Sequence, residues 1–177
     1  GVTLWDVGLE RQTQLKGPDA LKFLDYLSSR DMSAMGSGDC RYALICDEAG
    51  LVLCDPVVLM PEEDLVWLSH GNTDLTLWAR GIVLNSDWNV EVSEPDVAPL
   101  QVQGPDSIHV MNALCATPLD DLKNYKCTIT EVAGQRAVVS RTGWSGGFGY
   151  EIYPYGSENA MALWNAILEA GKPFGIK

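Results

Sequence analysis

The segment Gln14-Leu15-Lys16-Gly17-Pro18-Asp19-Ala20-Leu21-Lys22-Phe23-Leu24 returns 87 residues later as Gln101-Val102-Gln103-Gly104-Pro105-Asp106-Ser107-Ile108-His109-Val110-Met111. In each copy a short apolar strand runs into Gly-Pro, the proline pre-sets the φ of a first helical turn, and an apolar-periodic segment follows. The echo continues in Leu77-Trp78, matched by Leu163-Trp164 inside a second helical pattern. A duplicated α+β architecture is therefore expected: two similar halves, residues 1–95 and 96–177, each an antiparallel sheet with flanking helices. Pockets for small molecules commonly sit where two related halves meet.

With 177 residues and 46% hydrophobic content the chain can bury a real core. No apolar run approaches the roughly 20 residues of a membrane helix, and Gly1-Val2-Thr3-Leu4-Trp5 has neither the basic nor the apolar region of a signal peptide, so a soluble chain with no membrane partner is expected. A net charge of -12 repels phosphate backbones, and no Lys/Arg cluster offsets it, which argues against a nucleic-acid role. Cys40, Cys46, Cys54, Cys115 and Cys127 form neither a CxxC pair nor an even framework. They read as reduced, mostly core residues, and no metal site is expected.

Residues 4–15 read as strand and 18–29 as helix, with Ala20, Phe23, Leu24 and Leu27 at helical spacing. Asp47-Glu48-Ala49-Gly50 between two β-rich runs signals a hairpin. Thr73 is a fitting N-cap for a helix through Leu75, Trp78 and Ile82, as is Ser157 for a last helix ending at Gly171. The stretch from Glu94 to Pro99, with two prolines and two acids, reads as the crossing between halves. A second hairpin turns at Ala133-Gly134-Gln135. Thr142-Gly143-Trp144-Ser145-Gly146-Gly147-Phe148-Gly149-Tyr150 then packs four glycines and three aromatics into nine residues, suited to close backbone approach and flat apolar contact.

Neither GxGxxG nor GxxxxGK[ST] is present. His109 lies mid-helix, a structural position, whereas His70 ends a strand before Gly71-Asn72, from which a side chain can reach into a cleft. Asp55 interrupts the run from Leu51 to Met60, and Pro56 holds it extended. It is either a buried carboxylate that hydrogen-bonds a polar ligand or a turn aspartate binding backbone N–H groups. Glu151 is similarly open: either a solvated strand residue or an acceptor of two parallel N–H bonds from a flat amino-heterocycle.

Together, Trp5-Asp6-Val7, Gly17-Pro18-Asp19-Ala20, Asp47-Glu48-Ala49-Gly50 leading to Asp55, Gln103-Gly104-Pro105, and Ser140-Arg141-Thr142-Gly143-Trp144 with Gly149-Tyr150-Glu151 resemble the aminomethyltransferase family of the glycine cleavage system, the T-protein, and its tetrahydrofolate-dependent demethylase relatives. The resemblance runs along nearly the whole chain. It implies the family's folate-binding fold, with tetrahydrofolate in a central pocket built from two similar α+β domains. It also implies a cytoplasmic protein that moves a methyl or aminomethyl group from a small-molecule donor to tetrahydrofolate. By position it makes Asp55 the acidic residue near the reacting nitrogens and Glu151 the residue gripping the pterin ring. Tyr42, Val57, His70, Tyr125 and Trp144 become lining residues of the same cavity as these two carboxylates.

Cys54-Asp55 stands where many T-proteins have two aspartates, and Glu10-Arg11-Gln12 and Asp55-Pro56-Val57 are more similar to demethylases of dimethylsulfoniopropionate or aryl methyl ethers. The family's usual length implies that a leading segment and a C-terminal partner domain are missing, so that this chain alone would bind folate weakly and turn over little. Three readings stay open: the folate-binding core of a one-carbon transferase, a folate-binding module without activity, and a structural fragment.

Overall fold

Each copy of the repeat folds into the same device. Gly17 and Gly104 have φ of 132° and 122°, and their carbonyls accept the N–H of Ala20 and Ser107 across Pro-Asp. The repeat is thus a strand, a tight turn and a helix, with proline in the turn rather than inside the helix. A side chain is also excluded at both glycines: a Cβ at Gly17 would lie 2.6 Å from the Asn89 carbonyl oxygen, and one at Gly104 2.4 Å from that of Gly1.

The computed structural model describes residues 1–177, which divide into two compact units, Leu9–Pro95 and Gly1–Gly8 with Asp96–Lys177. The strands are β1 (Thr3–Asp6), β2 (Arg11–Lys16), β3 (Asp39–Tyr42), β4 (Ile45–Cys46), β5 (Val52–Cys54), β6 (Val57–Glu62), β7 (Leu65–His70), β8 (Glu91–Ser93), β9 (Leu100–Gln103), β10 (Cys127–Val132), β11 (Gln135–Ser140) and β12 (Gly149–Pro154). The helices are α1 (Ala20–Leu27), α2 (Leu75–Val83), α3 (Ser107–Leu114) and α4 (Ala160–Gly171). All strand pairs are antiparallel, the mixed α+β class expected from the sequence.

In the Leu9–Pro95 unit the sheet order is β3-β6-β7-β2-β8, with β4 and β5 as a separate hairpin. Leu15, Val58, Val66 and Leu68 of the sheet pack with Ala20, Phe23, Leu24 and Leu27 of α1 and with Leu75 and Ala79 of α2. In the other unit the order is β1-β9-β12-β11-β10. Leu4, Val102, Tyr150, Ile152 and Val139 pack with Val110 and Met111 of α3 and with Leu163 and Ile167 of α4. Because side chains alternate along a strand, each sheet keeps a second face. Tyr42, Val57 and Ser69 share one such face by register, and Gln101, Glu151 and Ser140 share the other.

The division differs from two halves at 1–95 and 96–177 in one respect. Pro95 and Asp96 do fall in different units, but the first eight residues join the later unit. There β1 pairs with β9, Leu4 opposite Val102 and Trp5 opposite Gln101, in the position that β8 holds against β2. Backbone hydrogen bonds along an edge strand choose this partner, and nothing local in residues 1–8 encodes it.

Two helix starts also move. The N-cap of α2 is Asp74 rather than Thr73, because the Thr73 hydroxyl is directed to Cys54 and His70. That of α4 is Asn159 rather than Ser157. The Ala133-Gly134 hairpin has both residues at positive φ, 50° and 78°, as a tight two-residue connection requires.

Candidate functional site

Asp55 lies between β5 and β6 and is exposed. The run from Leu51 to Met60 is therefore no single buried strand: Asp55-Pro56 breaks it, leaving Leu51 and Val52 in solvent while Val58, Leu59 and Met60 enter the core. A buried Asp55 was one of two expectations, and the exposed position replaces it. Its carboxylate is nevertheless held, since the Tyr42 hydroxyl donates to Oδ2 at 3.1 Å. Val57 pairs with Tyr42 across β3 and β6, so Tyr42, Asp55 and Val57 cluster at one end of that sheet.

His70 does not join them. It is the last residue of β7, buried, and its neighbour Ser69 is the one that pairs with Val57; alternation turns His70 to the helix-covered face. Its Nδ1 lies 2.6 Å from the Gly71 carbonyl oxygen, which makes Nδ1 the protonated nitrogen. Nε2 then accepts from the Thr13 hydroxyl at 2.9 Å, and Thr13 is 2.8 Å from Thr76 of α2. Burial disfavours the imidazolium and lowers the His70 pKa. The ring is thus a neutral spacer between strand and helix, not an arm reaching from a loop. Nearby, Arg11 pairs with Glu94 and also donates to the Thr73 carbonyl oxygen at 3.1 Å; the Arg11 hydrogen bond is the main reason that the Glu94 pKa is lowered.

Glu151 lies in the middle of β12, paired with Gln101 of β9 and Ser140 of β11, and is only 3% exposed. The Thr142 hydroxyl donates to Oε2, and the Tyr153 hydroxyl donates to the same oxygen at 3.2 Å. Burial pushes the Glu151 pKa up, and the two hydroxyls oppose that rise. The result is a desolvated carboxylate with one oxygen held by its own fold and no hydroxyl bonded to Oε1. Such a group is an acceptor for a partner that brings N–H donors.

The loop after β11 is shaped by close approach. A Cβ at Gly143 would come within 2.4 Å of Gln101 Nε2, and one at Gly149 within 2.4 Å of Gln103 Oε1. Gln101 in turn donates to Gln103 at 2.6 Å, and Gln103 to the Phe148 carbonyl oxygen at 3.0 Å. Trp144 rises from this loop, 71% exposed, and meets Trp5 edge to face with centroids 6.3 Å apart. Arg141 lies over the Phe148 ring at 3.8 Å. Tyr125, at a positive φ of 56°, is exposed in the turn before β10 and hydrogen-bonds through its N–H to the Arg141 carbonyl oxygen at 3.1 Å.

Of the residues singled out in the sequence, Tyr42, Asp55 and Val57 gather in one unit, Glu151, Trp144 and Tyr125 belong to the other, and His70 is turned to a helix-covered face. Sequence reading missed Ser140, Thr142, Tyr153, Gln101 and Trp5. The period-two spacing of Ser140 with Thr142 and of Glu151 with Tyr153 was the available signal. No three His, Cys, Asp or Glu side chains are grouped to hold a metal ion, and no helix is long and apolar enough to cross a membrane.

The whole chain is similar to known proteins. It is 39% identical over 176 residues to dimethylsulfoniopropionate demethylase DmdA of Ruegeria pomeroyi, covering 99% of this chain and 48% of that protein. It is 34% identical over 181 residues to an aminomethyltransferase of Bacteroides fragilis, covering all of this chain and 50% of that one. The chain thus spans about half the length of the curated relatives it matches. Among solved structures, the glycine cleavage system aminomethyltransferase T from Bartonella henselae superposes with a TM-score of 0.85 over 99% of this chain and 47% of that one, at 21% identity. The heterotetrameric sarcosine oxidase from Corynebacterium sp. U-96 superposes with a TM-score of 0.74 at 18% identity, over 98% of this chain and 85% of that one; both likenesses speak for the fold. The sequence model of the GCVT N-terminal domain matches residues 1–177 from end to end, and the chain belongs to that family.

Proposed function

We propose that this chain binds tetrahydrofolate and serves, in the cytoplasm, in the transfer of a one-carbon group from a small methylated donor. The observation that carries the proposal is Glu151. A carboxylate 3% exposed, with both donating hydroxyls on Oε2, is costly unless a ligand uses it. A reduced pterin ring presents an amino group beside a ring N–H, the donor pattern that such an acceptor fits. When bound, tetrahydrofolate would supply the nitrogen that receives the carbon unit.

The chain's own residues would then bind and orient. Glu151 would anchor the ring, while the exposed rings of Trp144 and Tyr125 in the same unit would provide apolar cover. Asp55, its Oδ2 held by Tyr42, is the acidic residue that the family resemblance assigns to the reacting nitrogens. His70 is left out of this set because Thr13 and Gly71 occupy its ring. Higher identity to a demethylase than to an aminomethyltransferase favours a methyl donor of the sulfonium kind over an aminomethyl one.

Calorimetric titration of tetrahydrofolate into this chain and its Glu151→Gln variant tests the proposal. Loss of a hydrogen-bonded charge predicts about tenfold weaker binding or more. Equal affinity in the two proteins, or no binding by either, sinks the folate reading. With binding established, methyl transfer from dimethylsulfoniopropionate, compared with its loss in Asp55→Asn, tests donor class and the role of Asp55.

A further inference from the structure

Glu151 is flanked by hydroxyls whose protons can be assigned one by one. Thr142 has a single proton, and it goes to Glu151 Oε2. Ser140 Oγ lies 2.5 Å from Thr142 Oγ1, both side chains are buried, and with the Thr142 proton committed Ser140 must be the donor. The chain of donation therefore runs one way, from Ser140 to Thr142 to the carboxylate, and the Tyr153 hydroxyl joins it at the same oxygen.

The backbone fixes the line of hydroxyls. Ser140 is the cross-strand partner of Glu151 on β11, and Gln101 is its partner on β9. Gly143, immediately after Thr142, sits so close to Gln101 that a Cβ there would lie 2.4 Å from Nε2. The turn that carries Thr142 is thereby pressed against the strand beside Glu151.

Building on the folate reading above, we propose that the Ser140–Thr142 hydroxyl pair positions Glu151, holding Oε2 so that Oε1 is the oxygen presented to the ligand's N–H donors. Donation from Thr142 also favours the ionised form of the carboxylate. Glu151 is buried enough that its pKa rises, and hydroxyl donation is what limits the rise. The residues beside it on the sheet offer no cationic side chain to do this instead: Tyr153 on its own strand, Ser140 on β11, and Gln101 and Gln103 on β9. Arg141 is turned to the Phe148 ring.

The test measures tetrahydrofolate affinity across the acid-to-neutral range for the parent chain, Glu151→Gln, Thr142→Val, Thr142→Ser and Ser140→Ala, and follows the Glu151 carboxyl carbon by NMR titration without ligand. Thr142→Val is expected to bind about tenfold more weakly or worse at neutral pH. It should also move both the carboxyl titration and the acid limb of binding to higher pH. Thr142→Ser, which keeps the hydroxyl, should restore both. Ser140→Ala should shift them in the same direction by less, and it carries the test if Thr142→Val does not fold. If Glu151→Gln binds like the parent, the folate reading itself fails. If Glu151→Gln loses affinity while the hydroxyl variants leave the titration midpoint unmoved, the positioning role is overturned and the folate reading stands.

Discussion

The strand orders β8-β2-β7-β6-β3 and β1-β9-β12-β11-β10 superimpose the two copies of the repeat, and at the centre of each the repeat's glutamine meets a different partner. Gln14 is opposite Trp67, a fully buried ring whose indole N–H donates to Gln14 Oε1 at 3.0 Å. Gln101 is opposite Glu151, a buried carboxylate. The next strand follows suit: Leu59 faces Trp67, whereas Ser140 faces Glu151. One copy fills this position with an aromatic ring and the other with a charge and its donors. Turn, strand order and helix-covered core were kept through the duplication, and the second sheet face is where the copies diverged.

The largest effect expected from this contrast is at Trp67. Truncation to alanine removes a fully buried ring and should cost about 3–5 kcal/mol in denaturant unfolding. Glu151→Ala, at the equivalent place, should cost far less because it also removes a buried charge. Equal losses would break the comparison.

Next come the paired turn glycines. Gly17→Ala and Gly104→Ala combine positive φ with a backbone oxygen in the way, and each should destabilise by about 1–3 kcal/mol. Gly50→Ala has positive φ but open space and should fall at or below the low end of that range. A Gly17 variant as stable as the Gly50 variant would show that the close approach is not structural.

A smaller effect separates the copies by sign. The Glu151 pKa is raised in the fold, so its contribution is fully present below the ordinary glutamate value of 4.5 and is lost as pH rises through the higher folded value. The His70 pKa is lowered, so its contribution is present above the ordinary histidine value of 6.5 and is lost as pH falls towards the folded value. Melting temperatures should accordingly show Glu151→Gln gaining most at neutral pH and nothing in strong acid. His70→Asn should flatten the acid-side loss instead. Matching slopes in the two variants would contradict the assigned environments.

The smallest change in stability is expected at Trp144. Its ring is largely in solvent, so Trp144→Ala should alter unfolding by no more than about 0.5 kcal/mol. Under the folate proposal it should still weaken tetrahydrofolate binding, and an unchanged affinity would remove Trp144 from the ligand-facing set.

Much of this was legible in residues close in sequence. The Gly-Pro-Asp turns, the helix faces of Phe23 and Leu24 and of Val110 and Met111, and the Ala133-Gly134 hairpin follow from local sterics and from periodicities of 3.6 and 2. Glu151 could be marked as a candidate because it follows the glycine-aromatic loop and precedes Ile152-Tyr153. His70 misled for a related reason: a strand-end histidine before glycine looks free until alternation and Thr13, 57 residues away, claim its ring.

By itself the sequence determined a duplicated unit, its antiparallel hairpins and its apolar faces, because those depend on neighbours within a few residues. Only the tertiary structure decided that β1 completes the later sheet, that Asp55 stands in solvent on Tyr42, and that Thr142 and Tyr153 hold one oxygen of Glu151. The physical reason is the same in each case. Edge-strand pairing, the burial of a charge and the direction of a hydroxyl proton are set by groups that the chain brings together from a distance, and no periodicity in the sequence records them.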